Sequence, residues 1–163
     1  MKQLIEFEHL TRTLQGLAED VREAYTKELE KNDRYTTERG LINSVRAEIV
    51  VNDRAYEVVL RLNDYWKYVE NGTRPHWPPP SAILRWVQIK PVLPRPFANG
   101  KIPKPQQLAF LIARKISREG TKGTHDLQTA REEVLNRYIP ALSEALRTDV
   151  SAYIAATLAQ SLH

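Results

Sequence analysis

Val45-Arg46-Ala47-Glu48-Ile49-Val50-Val51-Asn52-Asp53-Arg54-Ala55-Tyr56-Glu57-Val58-Val59-Leu60-Arg61-Leu62 decides the fold class of this 163-residue chain. Val45, Ala47, Ile49 and Val51 alternate with Arg46, Glu48 and Val50, and Tyr56, Val58, Leu60 and Leu62 alternate with Glu57, Val59 and Arg61. A period of two sends successive side chains to opposite faces of an extended backbone, which predicts strands over Arg46 to Asn52 and Ala55 to Leu62. Asn52-Asp53-Arg54 between them is turn material for a short antiparallel hairpin. One face of the hairpin is apolar and the other mixed, as in a sheet covered by helices on one side.

Outward from the hairpin the chain reads almost entirely as helix. Upstream, Leu14, Leu17, Val21, Tyr25 and Leu29 recur at steps of three or four, predicting an amphipathic helix from about Thr11 to Lys31 that ends at Asn32-Asp33-Arg34. Gly40-Leu41-Ile42-Asn43-Ser44 is a short approach to the first strand. Downstream, Asp64 is placed to cap a single turn over Tyr65 to Glu70, with Tyr65, Tyr68 and Val69 on one face. Gly72 would then supply the positive φ that ends the turn. Nine of the ten prolines fall between Pro75 and Pro105, so this span is expected to be helix segments joined by rigid links. Ser81 suits the N-cap of a helix over Ala82 to Lys90, with Ile83, Trp86 and Val87 inward. A Pro-rich basic insertion at about 91–104 carries Arg95, Lys101 and Lys104, and a loop of that length in a compact domain is usually functional or ordered by a partner.

Pro105 opens the next helix at a position that tolerates proline, with Leu108, Leu111, Ile112 and Ile116 as its stripe. Gly120-Thr121-Lys122-Gly123-Thr124 breaks it. A long final helix starts near Asp126, with Val134, Leu135, Tyr138, Leu142, Leu146, Val150, Tyr153, Ile154 and Leu158 at helical spacing, and Pro140 is expected to kink or split it. No internal repeat stands out. The expectation is one α+β domain over 1–163: a small antiparallel sheet packed by an N-terminal helix and a long C-terminal helix, with a Pro-rich central loop region.

Composition limits the function classes. With 42% apolar and 27% charged residues the chain has an ordinary globular balance. No apolar run approaches the ~20 residues of a membrane span, and Glu6 and Glu8 interrupt any signal-peptide core near the N-terminus, so a soluble protein without membrane contact is expected. The chain has no cysteine, which removes disulfides and thiolate metal sites. The net charge of +4 conceals an asymmetry, because Asn71 to His125 holds ten Lys and Arg against one acid, Glu119. Solvated surface charge accounts for many such imbalances; the alternatives are nucleic acid, an acidic protein partner, or neighbouring copies meeting head to tail.

No catalytic constellation emerges. His9, His76, His125 and His163 share no metal-ligand spacing, Ser/His/Asp sets can be drawn only arbitrarily, and no cofactor motif is present. Gly120-Thr121-Lys122-Gly123-Thr124 lacks the spacing of a phosphate-binding loop and follows a helix where a strand is required, so a helix-breaking turn is the better reading. Trp66, Trp77 and Trp86 are suited to stacking nucleobases, but packing in a core or at a subunit interface explains tryptophans at near-helical spacing better.

The order of segments carries a resemblance. Helix, Gly-Leu-Ile-Asn-Ser approach and hairpin are followed by a Tyr-x-x-x-Val-Glu-x-Gly-Thr segment, present as Tyr65, Val69, Glu70, Gly72 and Thr73, with Trp66 beside the tyrosine. Further on stands Ala109-Phe110-Leu111-Ile112-Ala113-Arg114-Lys115-Ile116-Ser117-Arg118-Glu119-Gly120-Thr121. From Gly40 to Thr124 the chain resembles the tail-completion or head–tail joining (neck) proteins of tailed bacteriophages. It departs from their pattern after Gly123, where His125-Asp126-Leu127 replaces an apolar run. The resemblance implies a non-catalytic virion protein of the neck or tail, assembled in the host cytoplasm. It implies a ring of identical subunits in contact with other neck and tail proteins, with Arg95, Lys101 and Lys104 toward partners or passing DNA without sequence readout. The other function considered is a nucleic-acid-binding module using the basic 71–125 region.

Overall fold

A computed structural model describes residues 7–32, 40–52, 55–89 and 94–161. Asp53-Arg54 of the expected turn, Asp33-Arg34 after the first helix, Lys90 to Leu93 before the Pro-rich loop, the N-terminal Met1 to Glu6 and His163 lie outside the described residues. The class is α+β. In chain order the elements are α1 (Glu8–Lys31), α2 (Leu41–Ser44), β1 (Arg46–Val51), β2 (Tyr56–Arg61), α3 (Trp66–Asn71), β3 (Gly72–Thr73), α4 (Pro80–Ile89), α5 (Pro105–Glu119), β4 (Thr121–Lys122) and α6 (Asp126–Ser161). Internal contacts gather into two units: Met1–Tyr35 with Leu41–Asn63 and Asp126–His163, and Thr36–Gly40 with Asp64–His125.

In the first unit the alternating stretch forms the expected hairpin, with Ala47 opposite Leu60, Ile49 opposite Val58 and Val51 opposite Tyr56. Ile49, Tyr56, Val58 and Leu60 pack against a core of Leu14, Leu17, Val21 and Val134, so the apolar face is the one α1 covers. The cover does not reach the tip. Val51, expected inward, is exposed together with Val50. The other face carries a cross-strand ion pair in which Arg61 Nε donates to Glu48 Oε1 at 2.7 Å.

Helix α1 starts three residues before the Thr11 expected from the stripe, and buries Leu14, Leu17, Ala18, Val21, Tyr25 and Leu29. It lies along α6, and polar contacts tie the pair at both ends. The Asp149 carboxylate accepts the N–H groups of His9 at 3.1 Å and Leu10 at 2.8 Å, and lies 2.7 Å from His9 Nδ1. It therefore acts as the N-cap that α1 lacks within its own sequence. At the other end Asn32 Nδ2 donates to Asp126 Oδ1 at 2.6 Å. Between the two clamps, Tyr138 Oη donates to Asp20 Oδ2 at 3.1 Å, and Gly16 leaves the room that the phenol occupies.

Pro140 neither splits nor terminates α6, which is one helix of 36 residues. Its stripe is inward only in part. Val134, Leu135, Tyr138 and Leu142 meet the core, whereas Leu146, Val150, Tyr153, Ile154 and Leu158 are exposed. Beyond Asp149 the cause is length, because α1 begins opposite that residue, whereas Leu146 lies short of it beside the buried Ala145.

The second unit differs from expectation in detail. Asp64 does not cap α3, whose N-cap position is Tyr65, and Tyr65 and Tyr68 are exposed. Helix α4 begins at Pro80, with Ser81 inside it, and Trp86 is exposed while Ile83 and Val87 are half-buried. Proline fits the first turn because its missing N–H has no intrahelical partner there. Helix α4 packs on α5. In α5 the buried residues are Ala109 and Ala113, flanked by half-buried Leu108, Ile112 and Ile116, while Leu111 turns outward. Small side chains occupy the closest approach. The Pro-rich loop is ordered from residue 97 to 101: Phe97 N–H donates to the Lys101 carbonyl at 2.9 Å, and Gly100, at φ 76°, turns the chain back to the Phe97 carbonyl at 2.8 Å.

Candidate functional site

The segment Val69-Glu70-Asn71-Gly72-Thr73 passes from helix to strand. Helix α3 ends at Asn71, and Gly72 takes φ 74°, ψ −168°, a conformation essentially confined to glycine. Helix α5 ends in the same way, at Gly120 with φ 72°, ψ −159°. Each glycine turns its chain into a two-residue strand, and the strands β3 and β4 pair antiparallel with Gly72 opposite Lys122 and Thr73 opposite Thr121. The chain segments Gly72-Thr73-Arg74 and Gly120-Thr121-Lys122 are thus related by an approximate local two-fold through the threonine pair.

The contacts repeat under that symmetry. A Cβ on Gly72 would lie 2.1 Å from the Thr121 carbonyl oxygen, and one on Gly120 would lie 2.0 Å from that of Thr73. The two threonine hydroxyls are 2.9 Å apart, and Thr121 N–H donates to Thr73 Oγ1 at 3.2 Å. Gly123 continues the approach, since a Cβ there would meet the Glu70 carbonyl oxygen at 2.2 Å. The Val69 carbonyl accepts Thr124 N–H at 3.1 Å and the Glu70 carbonyl accepts His125 N–H at 3.2 Å, which holds the end of α3 against the chain leaving β4. Glu70 is buried.

Among the residues singled out in the sequence, Val69, Glu70, Gly72 and Thr73 come together in this pairing. Trp66 stands at the first turn of α3, half-buried, with Lys67 Nζ 6.0 Å from its ring centroid. Tyr65 is outside the pairing. The basic candidates lie apart from it: Arg95 and Lys101 are exposed on the Pro-rich loop, and Lys104 is the exposed N-cap of α5, its N–H bonded to Gln107 Oε1 at 2.9 Å. Gly120 ends α5 as a helix-breaking turn should; what the sequence reading did not foresee is that Thr121 and Lys122 pair with Thr73 and Gly72 and that Gly123 packs behind them. A glycine after a helix, then threonine, then a base, occurs twice in the sequence and was the signal that marks them.

A second surface of the same unit lies on α5. Trp77 and Phe110 meet edge to face with centroids 5.9 Å apart, and both rings are more than half exposed at 51% and 54%. In the first unit, a cleft between α1 and α6 is lined by Asp20, Glu23, Lys27, Glu133 and Arg137. Its charges are mutually engaged, Lys27 with Glu23 at 2.9 Å and Arg137 with Asp20 at 3.7 Å. Burial and the bond to Asp20 push the Tyr138 phenol above its ordinary range. Among the described residues, no group of three or more His, Cys, Asp or Glu side chains is placed to hold a metal ion. No helix among them is long and apolar enough to cross a membrane.

Comparison with protein-family models, with curated proteins and with solved structures finds no match to this chain.

Proposed function

We propose that this chain is a structural, non-catalytic virion protein of the neck or tail of a tailed bacteriophage, acting as one subunit of a homo-oligomeric ring that meets other neck and tail proteins. One observation carries the reading. The two segments on which the family resemblance rests, Val69–Thr73 and Ala109–Thr121, are far apart in sequence, yet their Gly-Thr ends pair as β3 and β4. That joint gives the two segments of the resemblance one structural role, which supports reading them together. Assembly also suits a molecule whose surfaces include exposed aromatic rings and an uncovered apolar helix end.

Purified protein examined by light scattering and negative-stain electron microscopy tests this, alone and after mixing with the products of neighbouring genes. Closed rings, alone or on a portal or tail-tube partner, are the expected result. A monomer that never associates, and whose gene neighbours encode no portal or tail protein, would overturn the reading.

The second reading, a nucleic-acid-binding module, is favoured by the exposed bases Arg95, Lys101 and Lys104 on a span rich in Lys and Arg. It predicts tight binding of duplex DNA by the monomer, falling steeply with salt as counterions are released. A gel shift over a salt series separates the two.

A further inference from the structure

We infer that copies of this chain associate head to tail, with the exposed apolar end of α6 of one copy docked on the α5 face around Phe110 of the next. This rests on the self-assembly in the proposed function and not on the virion role.

The α6 end is built like half of an interface. Residues Val150 to Ser161 are all exposed and include no charged side chain. Val150, Tyr153, Ile154 and Leu158 are spaced at three and four, continuing a stripe from Leu146, with Ile154 at 52% and Leu158 at 59% exposure. Twelve residues of helix extend about 18 Å past the α1 clamp. An uncharged apolar helix of that length, standing clear of its own core, is a surface that association would cover. On the other unit, Phe110 and Leu111 project from α5 beside Trp77, with the exposed bases Arg114 and Arg118 further along the same helix.

Charge selects a second copy as the partner, and selects unlike faces. Formal charge over 1–35, 41–63 and 126–163 amounts to −4, and over 36–40 and 64–125 to +8, together the +4 of the chain. Pairing α6 with α6 would set acidic unit against acidic unit and leave the Phe110 face open. Pairing α6 of one copy with α5 of the next joins opposite signs and covers both apolar surfaces. Contact between unlike faces repeats from copy to copy and yields a ring when the rotation closes.

The test uses the full chain with Ile154→Arg and, separately, Phe110→Asp, both exposed positions whose variants are checked for native circular dichroism. Wild type is expected to assemble with rising concentration, less readily at high salt. Each variant is expected to raise the assembly midpoint at least ~30-fold, the loss typical of an interface hot spot. An equimolar mixture of the two should form a dimer and nothing larger, because the Phe110→Asp copy keeps its α6 face and the Ile154→Arg copy keeps its α5 face. Assembly of either variant at the wild-type midpoint, a mixture that stays monomeric, or a wild type that is monomeric at all concentrations would each overturn the assignment. Rings formed equally well by both variants would remove these surfaces and leave the proposed function standing.

Discussion

In the first unit the tightest contacts run from side chain to side chain: Leu14, Leu17 and Val21 of α1 against Val134 of α6 and against Ile49, Val58 and Leu60 of the hairpin. In the second they run from backbone to backbone. Gly72, Gly120 and Gly123 each bring a chain so near another that a methyl group would meet a carbonyl oxygen at 2.0 to 2.2 Å. The core of one unit is volume filled by branched side chains; the joint of the other is volume that must stay empty. Substitutions therefore fail in opposite directions, by leaving a hole in the first and by adding an atom in the second.

The sharpest test of that contrast is Gly72→Ala, or its counterpart Gly120→Ala. Each imposes a Cβ on a glycine-only backbone region and on a carbonyl oxygen, so a loss of about 3–6 kcal/mol is expected, enough to release β3 from β4. Hydrogen exchange should then quicken through residues 64–125 while the amides of α1 remain protected. Unchanged protection around β3 and β4 would contradict the backbone account. Leu17→Ala is expected to cost about 3 kcal/mol by opening a cavity between α1 and the hairpin, with the pattern of exchange reversed. Equal loosening in both units would mean that they do not hold together separately.

Asp149→Ala is expected to cost about 2 kcal/mol, since two N–H groups of the first turn of α1 lose their acceptor. Burial by itself would raise the Asp149 carboxyl, but the bonds from the Leu10 N–H, the His9 ring and the His9 N–H outweigh it and hold it below the usual carboxylate range. A carboxyl lowered on folding stabilises the folded form above its unfolded pKa, and that contribution is lost as pH falls through the folded value. The stability difference between wild type and Asp149→Asn should accordingly be full at pH 6 and shrink only below about pH 4. Urea titrations at the two pH values measure it, and a difference independent of pH would remove the charge from the explanation. The smallest effect belongs to Glu48→Gln on the exposed face of the hairpin, whose urea midpoint should match that of wild type, because water screens the Arg61 pair.

The same contrast explains what the sequence disclosed. Periodicity reports side-chain burial, so the α1 stripe, the two strands of the hairpin and the start of α6 near Asp126 were all readable from apolar spacing. The α1 boundary was missed by a turn because its cap comes from Asp149, far along the chain, and no local residue advertises it. Of the two outcomes expected at Pro140, a kink or a split, the split does not occur. A missing N–H and a ring contact weaken a helix locally, but α6 runs through the site. The α5 stripe was displaced because apolar size was taken as a sign of burial, whereas Ala109 and Ala113 occupy the close contact and Leu111 faces out. The pairing of β3 with β4 was invisible to periodicity, since a strand of two residues has no period. Only the recurrence of glycine, threonine and a base hinted at it.

The cluster that joins Leu14, Leu17 and Val21 to Val134 also sets a timetable. During synthesis every residue of the second unit is made before any of α6. At about 5–20 residues per second, the 36 residues of α6 take roughly 2–7 seconds to appear. Until then the hairpin covers only part of the α1 stripe, and the place of Val134 beside Leu14 and Leu17 is open. The nascent chain thus passes through an interval in which one unit is complete and the other shows bare leucines to solvent, and in that interval it is most exposed to chaperones and to aggregation.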